Sequence, residues 1–385
     1  MEEQLRKSFI VNFCVIVVFG VVMVYSSSYI YAKEVLGSSL HFVLRQLSFI
    51  GIGSLLAFVV ARSKFTFWYK HIHYILAAIT FCILLTYTPM GHEVKGANRW
   101  LRLGAFGFQP GEFAKYAMII FSVKYFNSFK SLTWPKEGLL WSALLLVPPV
   151  LLLFQPDFGS FSVLVLMVLF AAFIGPVKKR YFFSMMGVSL AGVFSIALAA
   201  PYRVKRLLTF LDPWSAPQGS GFQIIQSYLA FANGHIFGQG IGNSNEKLFY
   251  LPEAYNDFIF SVVGEELGLF GVVLTVILYF SLVYLGFKLA LSVRSKVNQQ
   301  IIACIMFYIG LQAFLNMGVV LGLLPTKGLN LPFISYGGSS MIANILAIGC
   351  LFSCLREKSQ IEDVEEVKET NGPFNESQFS WNDQW

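Results

Sequence analysis

Apolar residues in this chain come in runs whose length carries the first inference. A membrane-crossing helix needs roughly 20 mostly apolar residues, and such runs recur along the whole chain, separated by short charged breaks. The pattern predicts helices at 9–30, 46–61, 73–90, 110–127, 138–154, 158–176, 182–200, 267–289, 300–322 and 338–354. The first run follows Arg6 and Lys7 as a signal sequence would, yet it is long and no small-residue cleavage site follows it, so it reads as a retained helix. The expected fold is an all-α polytopic membrane protein, a bundle of about ten transmembrane helices.

The breaks between runs set an orientation. Alternate breaks hold Arg6/Lys7, Arg62/Lys64/Lys70, Lys124/Lys130/Lys136, Lys178/Lys179/Arg180, Lys288/Arg294/Lys296 and Arg356/Lys358. Cytoplasmic loops carry an excess of Lys and Arg, so this face and both termini are expected in the cytoplasm. Residues 1–355 form the expected membrane domain. The tail at 356–385 is acidic, with Glu362, Asp363, Glu365 and Glu366 and then Gly372 and Pro373. It lacks a sustained apolar period and is expected to be disordered. No internal repeat is evident, which gives a transporter built on inverted repeats no support.

Composition narrows the picture further. Of 385 residues, 56% are hydrophobic and only 13% charged, which makes lipid the main solvent and leaves little room for a soluble domain. Cys14, Cys82, Cys304, Cys350 and Cys354 lie in or at the ends of apolar runs, without CxxC spacing or nearby histidines. Neither a metal centre nor a disulfide framework is supported. The net charge of +7 is spread over many short loops, as at an anionic membrane surface, which argues against nucleic-acid binding.

Candidate chemistry gathers on the other face. Its long loops are 91–109 and 201–266, the latter between the seventh and eighth helices. Topology asks for no cations there, yet the loops hold Lys95, Arg99, Arg102, Arg203, Lys205 and Arg206, and a short later loop holds Lys327. Cations near the membrane plane suit an anionic partner at headgroup level, Arg as a planar fork and Lys as a point charge. The alternative is ordinary loop charge that keeps the chain soluble. Among these cations lies an acidic stretch with Glu253 and Asp257, the latter where a polar loop turns apolar. Asp257 suits a helix N-cap, and a partly desolvated carboxylate there also suits a general base.

Other polar positions read as supporting structure. Glu265 and Glu266 sit at the edge of the eighth span, where charge is costly and is paired or functional. Glu112 and Lys115, spaced i, i+3, share one helix face as an interior ion pair. Asp157 is placed to cap the sixth helix. Gly337, Gly338 and Ser339 open the last helix and favour close packing, with anion binding by its N–H groups as the alternative.

These motifs, in order, carry a resemblance. Gly96-Ala97-Asn98-Arg99-Trp100, Gln109-Pro110-Gly111-Glu112-Phe113-Ala114-Lys115 and Gln155-Pro156-Asp157-Phe158-Gly159 are followed by Phe210-Leu211-Asp212-Pro213-Trp214 and Gly240-Ile241-Gly242-Asn243-Ser244. Asp257-Phe258-Ile259-Phe260, Gly264-Glu265-Glu266-Leu267-Gly268, Pro325-Thr326-Lys327-Gly328 and Leu331-Pro332-Phe333-Ile334-Ser335-Tyr336-Gly337-Gly338-Ser339-Ser340 complete the set. The chain thereby resembles the SEDS family (shape, elongation, division and sporulation), in its FtsW and SpoVE branch rather than that of RodA. It departs from the family at Phe249, where an acid is frequent, at Gly107, a frequently basic place, and at Tyr255-Asn256 in place of His-Thr.

The resemblance implies a peptidoglycan glycosyltransferase of the bacterial inner membrane, at the division septum, that polymerises lipid II. The C4 hydroxyl of lipid II would attack the anomeric carbon of the growing lipid-linked glycan strand, displacing undecaprenyl pyrophosphate with inversion. It implies Asp257 as base, with Arg99, Lys327, Arg203, Lys205 and Arg206 on the pyrophosphate. A divalent cation, Mg²⁺ or Mn²⁺, suits that pyrophosphate, although no protein ligand set is visible. A class B penicillin-binding transpeptidase and other divisome proteins are the implied partners. The rival readings are a lipid II flippase, which expects charges distributed through the spans, and a non-catalytic divisome scaffold.

Overall fold

A computed structural model describes residues 2–94, 97–103, 106–128, 136–219, 221–244, 254–325 and 328–370. Lys327 and Glu253 lie outside the described residues, as does Lys95. The described chain forms α1 (Glu2–Leu36), α2 (His41–Arg62), α3 (Phe65–Leu85), β1 (Gly91–Val94), β2 (Ala97–Leu103), β3 (Phe106–Phe108), α4 (Pro110–Ser128), α5 (Lys136–Phe154), α6 (Phe158–Ile174) and α7 (Lys179–Ala199). Then follow α8 (Pro201–Leu211), a 3₁₀ turn (Pro213–Ser215), α9 (Phe222–Gly234), α10 (Ile259–Ser292), α11 (Lys296–Val320) and α12 (Gly338–Thr370). Each expected span overlaps a helix, the third running past the end of α3 at Leu85. By length and apolar composition alone, α1, α2, α3, α7, α10, α11 and residues 338–356 of α12 are able to cross a membrane, and α5 and α6 contain shorter apolar helices.

Local chemistry explains several helix ends. The first turn of α1 is tied by Arg6–Glu2 at 2.8 Å and Lys7–Glu3 at 2.7 Å, pairs one turn apart on one face. Asp157 caps α6, its Oδ1 accepting from the Ser160 N–H at 3.0 Å, and Ser295 caps α11. The core centres on α4, whose residues from Pro110 to Phe126 are all buried except Phe113. It is enclosed by α3, α5, α6, α11 and α12. At the other extreme, α7 has no buried residue and rests mainly on α6 and α8.

The structure differs from the sequence-based expectation in four places. The 91–109 segment is not a plain loop but a three-stranded antiparallel sheet, β1-β2-β3. In β2, Leu101 is buried and paired to Gly91 and Phe108, and the pairing with β1 shifts register between His92 and Glu93. A Cβ at Gly107 would lie 3.1 Å from the Trp100 ring, so the close packing of that ring favours glycine there. The 201–266 segment holds α8 and α9 and the first turns of α10. Glu265 and Glu266 are thus not at the edge of a span but inside a helix, because Phe260, Val262 and Val263 already carry the apolar pattern outward. Finally, α12 continues past residue 354 to Thr370, its later residues rich in Glu and Lys. These are good helix formers that extend an existing helix without needing an apolar face.

The fourth difference is a break. Gly268 has φ 64° and ψ −159°, dividing α10 into 259–267 and 269–292. Irregular backbone at membrane depth survives only where its polar groups are met by protein or a polar cavity. The segment after α9 does this. The N–H groups of Gln239 and Gly240 donate to the carbonyls of Glu265 and Glu266 at 2.9 and 3.0 Å, and those of Leu269 and Phe270 donate to His235 and Ile236 at 3.0 and 3.2 Å. The approach requires glycine: a Cβ at Gly238, itself at φ 81°, would stand 2.1 Å from the Glu266 carbonyl oxygen.

Candidate active site

One end of the bundle, the Asp257 end, collects the sheet, α8, α9 and the loops before α10 and α12. The opposite end is closed by Arg6 on the Leu355 carbonyl, Ser353 on that of Ser63 and Arg356 on that of Arg62. At the Asp257 end the expected residues form two clusters.

The first cluster surrounds the turn between α5 and α6. Arg99, on β2, donates from Nε to the Gln155 carbonyl at 3.2 Å and from Nη2 to that of Pro156 at 2.9 Å. Its Nη1 stands 3.8 Å from Asp157 Oδ2. Arg203, on α8, donates to the Ile196 carbonyl at 2.6 Å and lies over the Phe158 ring, 5.0 Å from its centroid. Arg99, Asp157 and Arg203 therefore converge, as residues far apart in sequence. Lys205 and Arg206 are exposed on α8.

The second cluster holds Asp257, partly buried at the entrance to α10. Its carboxylate is not the cap of that helix: the N-cap is Phe258, with no side-chain bond, and Ser261 closes the first turn onto the Phe258 carbonyl. The carboxylate instead lies along the 328–337 loop, Oδ2 being 2.9 Å from where a Cβ on Gly328 would stand. A side chain at that position would push the carboxylate aside. Ser335 Oγ donates to the Asn256 carbonyl at 2.7 Å, and the Tyr336 N–H to that of Tyr255 at 3.0 Å.

Gly337, Gly338 and Ser339 are packing elements in this setting. A Cβ at Gly337 would meet the Asn330 amide at 2.3 Å, and one at Gly338 the Phe49 ring at 2.7 Å. Ser339 Oγ accepts from the Gln109 N–H at 3.0 Å and reaches the Gly107 carbonyl at 3.4 Å, so it joins the sheet, and through it Arg99, to the loop beside Asp257.

The remaining expected residues lie deeper. Lys115 Nζ meets Glu112 Oε1 at 2.6 Å, their side chains only 2% and 11% exposed. Glu265 and Glu266 are fully buried; Ser26 of α1 donates to both Glu266 oxygens, at 2.7 and 2.6 Å, and Ser244 donates to Glu265. Among the described residues no three of His, Cys, Asp and Glu stand together as a metal site.

The sequence reading missed two groups. Arg45, one turn into α2, stands near the Tyr336 phenol, whose pKa burial raises above its ordinary value against the pull of that guanidinium. Gln312 and Asn316, on α11, donate from their amides to loop carbonyls beside Asp257. Their signal was present, as polar residues inside an apolar span.

Comparison with known proteins adds a family, two relatives and two solved structures. Residues 6–360 match the cell cycle protein family of FtsW, RodA and SpoVE. A Geobacter sulfurreducens protein named probable peptidoglycan glycosyltransferase FtsW is 40% identical over 351 residues, 87% of this chain and 91% of that one. The stage V sporulation protein E of Bacillus subtilis is 36% identical over 345 residues, 88% and 93% of the two chains. Among solved structures, a chain from a study of polymerisation and crosslinking by a peptidoglycan synthase complex superposes with a TM-score of 0.73 at 27% identity, covering 92% of this chain and 98% of that one. The rod shape determining protein RodA of Thermus thermophilus gives 0.67 at 26% identity, covering 91% and 96%.

Proposed function

The chain belongs to the FtsW, RodA and SpoVE family of cell cycle proteins, and from that premise we propose that it is a peptidoglycan glycosyltransferase polymerising lipid II in septal wall synthesis. The observation that carries the reading is the placement of Asp257. Asp257 is partly buried, stands one residue before the N-cap of α10 at Phe258, and sets its carboxylate against a glycine in the loop that follows Lys327.

In the proposed reaction Asp257 takes the proton of the C4 hydroxyl as that oxygen bonds the anomeric carbon of the lipid-linked strand. The bond from that carbon to the pyrophosphate oxygen breaks on the opposite face, which inverts the centre. Arg99 and Arg203, with Lys327, Lys205 and Arg206, would meet the charge that grows on undecaprenyl pyrophosphate. The donor set suits a divalent cation only if it is held mainly by pyrophosphate and water, which then supplies further charge neutralisation.

The reading places the Asp257 end outside the cytoplasmic membrane, with the expected spans crossing it, both termini and the 356–385 tail in the cytoplasm, and a class B penicillin-binding transpeptidase as partner. A flippase would need a polar route through the bundle. The interior charges here are instead enclosed, Glu265 and Glu266 at 0% exposure.

The test is polymerisation of purified lipid II by the protein with its transpeptidase partner. Asp257→Ala and Asp257→Asn are expected to lower the rate by about 10²–10⁴-fold with unchanged thermal stability. Full polymerisation by either folded variant sinks the assignment.

A further inference from the structure

Asn316 lies in the second half of α11, 2% exposed. Its single amide nitrogen donates twice, to the Asp257 carbonyl at 2.8 Å and to the Leu329 carbonyl at 2.6 Å. One turn earlier, Gln312, also 2% exposed, donates to the Asn330 carbonyl at 2.9 Å. The two amides share one helix face. Between them they hold the strip of loop that faces the Asp257 carboxylate to the backbone of Asp257 itself.

The simpler account is that these amides only satisfy carbonyls left open by a non-helical segment. The other ends of the same side chains argue against it. Asn316 Oδ1 and Gln312 Oε1 are both buried and have no hydrogen-bond partner among the described residues. A buried acceptor without a partner is costly, and intramembrane polar residues are scarce for that reason. Two such costs, one turn apart and directed at one loop, indicate that the donors are kept for something other than stability.

Resting on the proposed glycosyl transfer, we infer that Asn316, backed by Gln312, is a positioning residue that sets the Asp257 carboxylate against the 328–330 loop and hence against the attacking hydroxyl. Such alignment acts on the chemical step. A base displaced by about 1 Å costs on the order of 100-fold in rate while substrate affinity stays as it was.

The experiment uses the full chain with its transpeptidase partner, purified lipid II as substrate, and Asn316→Leu as a near-isosteric variant without the amide. Three readouts are taken: kcat and KM for polymerisation, thermal midpoint, and amide hydrogen exchange of 254–261 and 328–331. The expected result is a kcat lowered about 100-fold at unchanged KM, a modestly lowered midpoint because the Asp257 and Leu329 carbonyls lose their donor, and faster exchange in both segments. Gln312→Leu is expected to loosen 328–331 with a smaller kcat loss, and it stands as the test if Asn316→Leu does not fold. Unchanged exchange, or faster exchange with wild-type kcat, overturns the inference. If wild type itself does not polymerise lipid II while exchange responds as expected, the proposed function fails and the structural tie between Asn316 and Asp257 stands.

Discussion

Charges inside the bundle and charges at the Asp257 end are built on opposite plans. In the interior, Lys115 and Glu112 close on each other at 2.6 Å, and the buried Glu266 holds Ser26 with both oxygens. At the Asp257 end, Arg99 reaches Asp157 only at 3.8 Å, and its side chain stays 30% exposed. Two of its N–H groups are held by backbone carbonyls, which fixes the guanidinium without cancelling its charge. The Lys115–Glu112 pair is thus matched and shut away, whereas Arg99 at the Asp257 end is aimed and left with charge to offer. The glycosyl transfer proposed for this chain needs the second plan where its substrate would sit and the first everywhere else.

The comparison is broken most severely by opening an interior pair. Lys115→Met leaves Glu112 buried without its partner, and the expected cost is about 3–5 kcal/mol, read as a large fall in the thermal midpoint of the purified protein. Adding Glu112→Gln removes the stranded charge and is expected to restore much of the loss. A single variant as stable as wild type would show that the pair is not matched in the way its geometry indicates.

A smaller effect of the same kind is expected at the break in α10. Ser26→Ala removes the hydroxyl that both Glu266 oxygens accept, and leaving a buried acceptor less satisfied costs about 1–3 kcal/mol. Ser26→Thr, which keeps the hydroxyl, is expected to lose less. Equal midpoints for the two variants would mean that the hydrogen bond contributes nothing measurable.

This contrast between plans was only half legible from the sequence. Apolar runs of transmembrane length located the helices, and i, i+3 spacing was enough to pair Glu112 with Lys115, because both signals are local. Capping by Asp157 was legible for the same reason. The break at Gly268 was not, since a glycine in an apolar run looks like any other, and its hydrogen bonds come from His235, Ile236, Gln239 and Gly240 on another segment. Glu265 and Glu266 were placed at a span's edge on charge alone, when their partners come from elsewhere in the chain. The small sheet is not legible because seven residues, Ala97 to Leu103, without strict alternation are faint beside runs three times as long. Arg45 and Asn316 are not legible because polar residues scattered in an apolar helix do not announce their partners, and what they touch is set by packing.

The mildest expected structural effect is at Arg99, and that mildness sharpens the comparison. An ion pair as long as Arg99–Asp157 contributes about 0–1 kcal/mol and the two carbonyl bonds lost with it are only part-buried or exposed, so Arg99→Ala is expected to lower the thermal midpoint only slightly. Its effect belongs in function. If the guanidinium meets pyrophosphate charge, polymerisation falls by more than the stability change allows, and Arg99→Lys recovers only part of it, since an ammonium lacks the planar fork. Partial exposure also makes the wild-type contribution sensitive to salt, so the gap between wild type and Arg99→Ala should narrow as ionic strength rises. A variant that loses stability and activity in proportion would place Arg99 with the interior charges, as a strut for the α5–α6 turn, and the division between the two plans would no longer hold at the site where it matters most.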